Sequence, residues 1–149
     1  MPNAEPYGSG EPYGSGEPLV FDTSAWNRLR NPSVLPRWLS TEQADLLIIC
    51  PVVALELLAS APDEEAFDDL NRTLTALPTA PVTRRAGMAA LRASRELRGR
   101  RRVPVADYLI AAAAAGRDAG VLHYDRHFDA LCGVLGIESV WIAEPGSID

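Results

Sequence analysis

Lysine is absent from this 149-residue sequence, whose 14 basic residues are all arginine. A P-loop uses a lysine to reach the phosphates of its nucleotide, and Schiff-base or pyridoxal chemistry uses the lysine amine as its nucleophile. Aspartyl-phosphate enzymes and receivers that depend on a lysine are excluded on the same ground. The protein therefore belongs to none of these classes.

Cysteine and long apolar runs are also scarce. The two cysteines, Cys50 and Cys132, form no C-x-x-C pair. No apolar run reaches the roughly 18 residues that a membrane span requires, and the sequence does not open in the basic-then-apolar order of a signal peptide. We therefore expect a soluble protein of a reducing, cytoplasmic compartment, with no membrane partner.

The chain divides at residue 18. Residues 1–18 contain the unit Glu-Pro-Tyr-Gly-Ser-Gly twice and almost no aliphatic side chain, which predicts a disordered Gly/Pro/Ser-rich leader. Residues 19–149 are predicted to form one domain, which contains 17 acidic residues and 14 arginines. The overall charge of −6 argues against nonspecific coating of nucleic acid, but it does not exclude a localised contact.

Short apolar runs alternate with helical patterns along the domain. Four of these runs are predicted strands, at residues 19–21, 46–50, 121–124 and 139–142. The predicted helices pass through residues 38–39, open at Pro51, span 63–77, open at Thr83, run from Pro104 to near Gly120, and precede the last strand. This alternation predicts a three-layer α/β/α fold, with a short central parallel sheet flanked by helices.

Four carboxylates lie where a ligand site is expected in such a fold. Asp22 and Asp125 directly follow predicted strands, and ligands of parallel sheets bind at the carboxyl ends of the strands. Glu56 and Asp107 have mostly apolar neighbours three and four positions away on their helices, so we expect both to point inward. The alternative is that these acids only cap helices or fill their first turns.

Carboxylates brought together in this way need neutralising. A buried, unpaired carboxylate is strongly disfavoured. The arginines nearest in sequence to Asp22 and Asp107 are Arg28 and Arg102, and none lies within ten residues of Glu56. A divalent cation would relieve their repulsion, and all-oxygen ligation suits Mg²⁺ or Mn²⁺ and not Zn²⁺. The hydroxyls of Thr23 and Ser24, beside Asp22, could hold a metal-bound water or simply cap the helix that follows.

Four segments in this order resemble the VapC-type toxins among PIN-domain ribonucleases. They are Leu-Val-Phe-Asp22-Thr-Ser-Ala-Trp, Val-Val-Ala-Leu-Glu56-Leu-Leu, Val-Pro-Val-Ala-Asp107-Tyr-Leu-Ile-Ala-Ala and Leu-His-Tyr-Asp125-Arg-His-Phe. The resemblance covers residues 19 to about 143. It implies a PIN-like fold and a Mg²⁺- or Mn²⁺-dependent endoribonuclease, usually a homodimer, that is held inactive by a cognate antitoxin.

The resemblance also implies roles for single residues. The family's acidic quartet falls on Asp22, Glu56, Asp107 and Asp125 as catalytic residues and metal ligands, with Ser24 as the hydroxyl partner. Many relatives have a further aspartate where this sequence has His127, and Asp129 is the candidate substitute. A bound ion would activate a water and stabilise the departing oxygen, so no serine, cysteine or histidine nucleophile is needed.

Arginines cluster between residues 84 and 102, where eight arginines accompany one acid. Four recur at spacings of three and four along a predicted helix and its exit, and Arg126 directly follows Asp125. These five are the candidate RNA-binding residues: Arg92, Arg95, Arg98, Arg102 and Arg126. The alternative is a solvated face whose arginines pair with the acidic helix at residues 63–69.

The substrate is predicted to be a structured RNA, such as a tRNA, rRNA or mRNA. Two further functions stay open: a housekeeping PIN nuclease for rRNA processing or structured DNA, and a non-catalytic binding module in which the acids serve structure alone. A zinc site from His123 and His127 is disfavoured because His123 falls within a predicted strand. Trp26, Trp38 and Trp141 are interpreted as core or dimer-interface anchors.

Overall fold

The computed structural model describes residues 16–100 and 102–148. The predicted disorder of residues 1–18 falls almost wholly outside the described residues and stays a prediction. Within the described part, no helix combines the length and the apolar character needed to cross a membrane.

One parallel sheet forms the centre of the domain. Its strands are β1 (Leu19–Phe21), β2 (Leu47–Ile48), β3 (Gly120–His123) and β4 (Ser139–Trp141). They lie side by side in the order β2-β1-β3-β4, and every neighbouring pair is parallel. The α/β class, the parallel sheet and the position of each strand are therefore confirmed.

Seven helices connect or follow the strands within the described residues. They are α1 (Thr23–Trp26), α2 (Leu35–Gln43), α3 (Pro51–Ala59), α4 (Glu64–Thr75), α5 (Arg84–Glu96), α6 (Val105–Gly116) and α7 (His127–Leu135). Their starts follow from the local sequence. Thr83 caps α5 by accepting a hydrogen bond from the backbone of Ala86, and Pro51 occupies the first turn of α3, where no backbone N–H is needed.

The strand order determines how the helices cover the sheet. The chain moves from β1 to β2 in one direction, and then through β3 to β4 in the opposite direction. Because crossovers between parallel strands are right-handed, α2 covers one face while α6 and α7 cover the other. Contacts of α6 with both α5 and α7 are consistent with this arrangement, so the three-layer prediction is confirmed.

The core is formed by the central strands and an aromatic cluster. Every residue of β1 and β3 is buried, which explains their continuous apolar sequence. Phe21, Trp26 and Trp38 lie with ring centroids 5.0–5.8 Å apart on the α2 side. Trp38 is a core residue as predicted, whereas Trp26 is partly buried and packs against the core.

Two helices end earlier than the sequence pattern indicates. The arginine spacing predicted a helix and exit running to Arg102, but α5 ends at Glu96 and Gly99 adopts a left-handed φ of 81°. The backbone thus turns before Arg98 and Arg102 can continue the helical face. In the same way, α6 ends at Gly116, and Gly120 opens β3.

We expect Gly120→Ala to destabilise the protein by about 1–3 kcal/mol, because there is no room for a methyl group at this position. A Cβ there would lie 2.7 Å from the carbonyl oxygen of Glu138 and 3.1 Å from Leu19 Cδ2. Gly87→Ala is the matched control: it lies in α5 with open space around it, and it should stabilise by about 0.5–1 kcal/mol. Urea unfolding of both variants measures the difference, and equal stability would contradict the packing argument.

Candidate active site

Asp22 and Asp125 lie at the point where the sheet changes direction. The connection after β1 leads to one edge of the sheet, and the connection after β3 leads to the other, so a crevice opens between these two strand ends. The backbone N–H of Asp22 donates to the carbonyl of Leu122 over 2.8 Å, which keeps the two ends together. The sequence-based position of both carboxylates at the carboxyl edge agrees with this geometry.

Asp22 is held by the first turn of α1. Its Oδ2 accepts hydrogen bonds from the Ser24 backbone N–H over 2.9 Å and from the Ser24 hydroxyl over 2.6 Å. Ser24 Oγ in turn accepts the Tyr124 N–H over 2.9 Å, a link across 100 residues of sequence. Asp22 is 5% exposed, and burial raises its pKa despite the Ser24 bonds. The serine therefore orients the carboxylate and joins the two strand ends.

Glu56 lies at the exposed side of the site, and the expectation that it points into the core is wrong. The buried residues of α3 are Val53 and Leu57, which turn Glu56 toward solvent. Of the neighbours three and four positions away, only Val53 is buried; Val52 is half-buried, and Ala59 and Ser60 are exposed. The Thr23 hydroxyl donates to Glu56 Oε1 over 2.6 Å, and this bond holds the carboxylate at the mouth of the crevice.

Asp107 is the most perturbed carboxylate of the four. It occupies the first turn of α6, is 7% exposed, and its Oδ2 makes no hydrogen bond to any described residue. Burial is the main cause that raises its pKa to about 7, followed by the negative charges of Asp22, Asp125 and Glu56. The inward orientation predicted for Asp107 is thus observed, and the three other carboxylates are close enough to act on it.

His127 is part of the same cluster, although the sequence analysis considered it only as a departure from the family pattern and as half of a disfavoured zinc site with His123. Its Nδ1 lies 2.9 Å from Asp125 Oδ1 and 3.5 Å from Asp107 Oδ2. One ligand-type atom from each of these three residues can be chosen so that all lie within 4.8 Å of one another. The available signal was position: His127 starts a helix two residues after a strand-end aspartate.

Asp129 lies apart from this cluster. Its Oδ1 accepts hydrogen bonds from the Ser139 hydroxyl over 2.8 Å and from Trp141 Nε1 over 3.0 Å. Asp129 therefore helps to attach α7 to β4, and the structure does not bring it to the other carboxylates as a substitute ligand.

Both ring nitrogens of His123 make hydrogen bonds. Its Nδ1 accepts the Asp125 N–H over 3.1 Å, and its Nε2 lies 2.7 Å from Ser139 Oγ. Burial lowers the pKa of His123 to about 4, so the ring is neutral near pH 7. With both nitrogens engaged, His123 leaves no lone pair for the zinc site that the His123/His127 spacing could have suggested.

The candidate RNA-binding arginines are exposed. Arg92 and Arg95 lie on α5, Arg98 and Arg102 follow it, and Arg126 precedes α7. Among the described residues, none of these five forms an ion pair, and the only arginine–carboxylate pair on the acidic helix α4 joins Arg72 to Asp69. The alternative in which α4 neutralises them is therefore not observed in the described part.

A cleft lies between the segment that follows α5 and His127. It has a volume of about 370 Å³ and is lined by Leu97, Arg100, Val103, His127 and Ala130. Arg100, from the segment after α5, and His127, whose Nδ1 lies near Asp107 and Asp125, therefore line the same cleft.

Comparison with known proteins identifies the family. Residues 19–134 match the family described as PIN domain. The ribonuclease VapC18 of Mycobacterium tuberculosis is 36% identical over 132 residues, which cover 85% of this chain and 96% of that protein. The chain belongs to the PIN domain family. Ribonuclease VapC51 of the same organism is also 36% identical, over 135 residues that cover 87% of this chain and 96% of that protein.

Solved PIN structures share the fold. VapBC-5 of Mycobacterium tuberculosis, described as a member of the VapBC family of toxin–antitoxin systems, matches with a TM-score of 0.59 at 27% identity, covering 83% of this chain and 97% of that one. A DNA-bound VapBC of Salmonella typhimurium gives 0.62 at 17% identity, covering 85% and 99%, and this match supports the fold alone. The sequence-based resemblance to the VapC-type PIN ribonucleases is therefore confirmed.

The acidic cluster of this PIN domain fits a divalent cation. Asp107 Oδ2 is buried and has no hydrogen-bond partner among the described residues, a state that costs free energy unless a cation or a proton compensates it. No arginine ion-pairs with Asp107 in the described part, and the surrounding donors are mainly carboxylate oxygens. Oxygen-rich donors suit hard divalent cations.

Removing the Ser24 hydroxyl tests how this PIN domain orients Asp22. We expect Ser24→Ala to destabilise by about 1–2 kcal/mol, because the Tyr124 N–H loses its acceptor and Asp22 loses its 2.6 Å hydrogen bond. Ser24→Thr keeps the hydroxyl and is the control. Thermal unfolding measures the loss, and an alanine variant as stable as the threonine variant would contradict the role assigned to Ser24.

Proposed function

We propose that this protein is the ribonuclease toxin of a toxin–antitoxin pair, which hydrolyses phosphodiester bonds of structured RNA with the help of a divalent cation. The observation that carries the proposal is Asp107: a buried carboxylate with a free oxygen and a pKa raised to about 7, on which three further carboxylates act. A fold does not need such a cluster for stability, since it costs free energy. Perturbed groups of this kind are concentrated at catalytic sites.

The residues proposed to hold the cation are Asp22, Glu56, Asp107 and Asp125, and Mg²⁺ and Mn²⁺ are the proposed ions. When bound, such an ion lowers the pKa of a water and stabilises charge on the departing oxygen. Ser24 keeps Asp22 in place, and Thr23 keeps Glu56 at the solvent side. These hydroxyl contacts fix two carboxylates before any ligand arrives, so little reorganisation is needed on binding.

The proposed RNA-binding residues are Arg92 and Arg95 on α5, Arg98 and Arg102 in the segment after it, and Arg126. Their guanidinium groups are exposed, have no carboxylate partner among the described residues, and suit bidentate contacts with phosphates. The cleft lined by Arg100 and His127 lies between the segment that follows α5 and His127, whose Nδ1 lies near Asp107 and Asp125. Such contacts are independent of base identity, so recognition of a particular RNA would come from its shape.

The proposed partners are a cognate antitoxin and a second copy of the chain. The solved relative from Mycobacterium tuberculosis, at 27% identity, is described as a member of the VapBC family of toxin–antitoxin systems. This supports an antitoxin partner. A small antitoxin-like reading frame directly upstream of the gene would favour the toxin over a housekeeping nuclease.

The test combines cleavage and growth. Purified full-length protein is incubated with structured RNAs in Mn²⁺, in Mg²⁺ and with a chelator, and the wild-type gene and an Asp107→Asn gene are expressed in cells. We expect cation-dependent cleavage, and growth arrest that the asparagine variant relieves. Absence of cleavage with either ion, together with arrest by both genes, would refute the proposal and favour a non-catalytic binding module.

A further inference from the structure

His127 faces the centre of the acidic cluster with an unused nitrogen. Its Nδ1 is buried and makes no hydrogen bond to a described residue, although Asp125 Oδ1 is only 2.9 Å away. That distance is short enough for an ion pair, but the ring is not oriented to donate along it. Asp107 Oδ2, 3.5 Å from the same nitrogen, is likewise without a hydrogen-bond partner in the described part. Two buried polar atoms therefore face each other with nothing to satisfy them.

The spacing of these atoms matches that of ligands around one ion. Neighbouring ligands at about 2.1 Å from an octahedral cation lie roughly 3.0 Å apart. The two distances from Nδ1 to the carboxylate oxygens, 2.9 Å and 3.5 Å, are close to that value. A hydrogen-bonded pair also needs the donor to point at its acceptor, which is not the case here.

The local backbone holds the imidazole in this position. His127 is the first residue of α7, and its backbone N–H donates to Asp125 Oδ1 over 3.0 Å, so the aspartate holds the start of the helix that carries the histidine. The ring also lines the cleft beside Leu97 and Val103. The nitrogen is thus placed by a backbone hydrogen bond at the start of α7 and by packing, as expected of a preorganised ligand.

Other residues cannot take this place. Both nitrogens of His123 are engaged, and the Asp129 carboxylate bonds to Ser139 and Trp141. These are the two histidines of the chain. A nitrogen ligand in this cluster can therefore only come from His127.

We propose that His127 is a metal ligand through Nδ1, and that it biases this active site toward Mn²⁺ over Mg²⁺. The inference rests on the divalent-cation site of the proposed function. Mg²⁺ is bound almost entirely through oxygen, whereas first-row transition ions accept imidazole readily. A site with one imidazole nitrogen and several carboxylate oxygens consequently favours Mn²⁺ over Mg²⁺ more strongly than a site made of carboxylates alone.

The experiment measures ligation directly, without substrate. Full-length protein is loaded with Mn²⁺ alone, and electron spin-echo spectroscopy is used to detect coupling of the ion to a ¹⁴N nucleus. Calorimetry then gives the Mn²⁺ and Mg²⁺ affinities of the wild type, His127→Asn and His127→Asp. The asparagine variant offers an oxygen near the place of Nδ1 without adding charge, and the aspartate variant offers a charged oxygen. Asp129→Asn, on the same helix and outside the cluster, is the matched control.

We expect ¹⁴N coupling in the wild type and in Asp129→Asn, and its loss in both His127 variants. The ratio of Mn²⁺ to Mg²⁺ affinity should fall by about tenfold or more in His127→Asp, because the nitrogen that favours Mn²⁺ is gone. Circular dichroism shows whether each variant is folded, and the two His127 variants are independent replacements should one fail to fold.

Two results would overturn the inference. Mn²⁺ binding by the wild type without ¹⁴N coupling, or an unchanged affinity ratio in the folded His127 variants, would show that the imidazole is not a ligand. Cation-dependent RNA cleavage would still stand in that case, so the proposed function survives. A different result would refute the proposed function, namely no RNA cleavage by the wild type with either ion.

Discussion

Asp107→Asn is expected to reduce RNA cleavage by more than about 100-fold while making the metal-free protein more stable. The loss of activity follows because Asp107 is a proposed cation ligand, and even partners outside the ligand shell are worth about 10–100-fold in affinity or activity. The gain in stability follows from its burial and from the like charges around it. Opposite signs for the two effects distinguish a functional carboxylate from a structural one.

The stability effect depends on pH in a defined direction. The pKa of Asp107 is raised from 3.8 to about 7 in the folded protein, chiefly by burial and then by Asp22, Asp125 and Glu56. The folded state therefore holds this proton more tightly than the unfolded chain does. The resulting stabilisation is complete below about pH 4 and is lost as the pH rises to about 7. Asparagine removes this dependence, so its advantage over the wild type should reach about 1–3 kcal/mol near pH 8.

Urea unfolding of chelator-treated protein at about pH 4 and about pH 8 measures this effect. Asp129→Asn makes the same chemical change at a carboxylate that bonds to Ser139 and Trp141, and it should lower stability instead, because those two donors lose a charged acceptor. An Asp107→Asn protein that is less stable than the wild type at the higher pH would contradict the repulsion argument. Retained cleavage would contradict the ligand role.

Much of the fold could be predicted because strands and helix starts are local features. Continuous apolar runs between helical patterns are typical of buried parallel strands, and β1 and β3 are buried throughout. Asp22 and Asp125 were assigned to the correct edge because each directly follows such a run. Helix starts at Pro51 and Thr83 also depend only on nearby residues.

The site was harder to predict where it depends on rotation of a helix or on contact between distant elements. The apolar neighbours of Glu56 fit two rotations of α3, and packing of Val53 and Leu57 selects the one that exposes the glutamate. The role of His127 requires the ends of β3, α6 and α7 to meet, which no spacing along the chain encodes. Spacing alone likewise could not place Asp129, because its partners Ser139 and Trp141 lie on β4.

The helical spacing of the arginines wrongly predicted that all four lie along one helix face, since α5 ends at Glu96, before Arg98 and Arg102. Their proposed role in RNA binding depends instead on their exposure and on the absence of carboxylate partners among the described residues. Arg95→Gln combined with Arg98→Gln is expected to weaken RNA binding by about tenfold at moderate salt, because two charge-assisted phosphate contacts are lost. The slope of the logarithm of affinity against the logarithm of salt concentration should fall by about 1.5–2.

The matched control removes the same charge elsewhere on the surface. Arg30→Gln combined with Arg72→Gln also changes the net charge by two units, and both arginines are exposed, with Arg72 paired to Asp69. Filter binding of structured RNA, with the metal chelated so that no cleavage occurs, compares the two double variants with the wild type. If both doubles weaken binding equally, the RNA responds to overall charge and not to a defined path. A loss confined to Arg95 and Arg98 supports a route through the cleft toward Asp107, since Arg100 and His127 line that cleft.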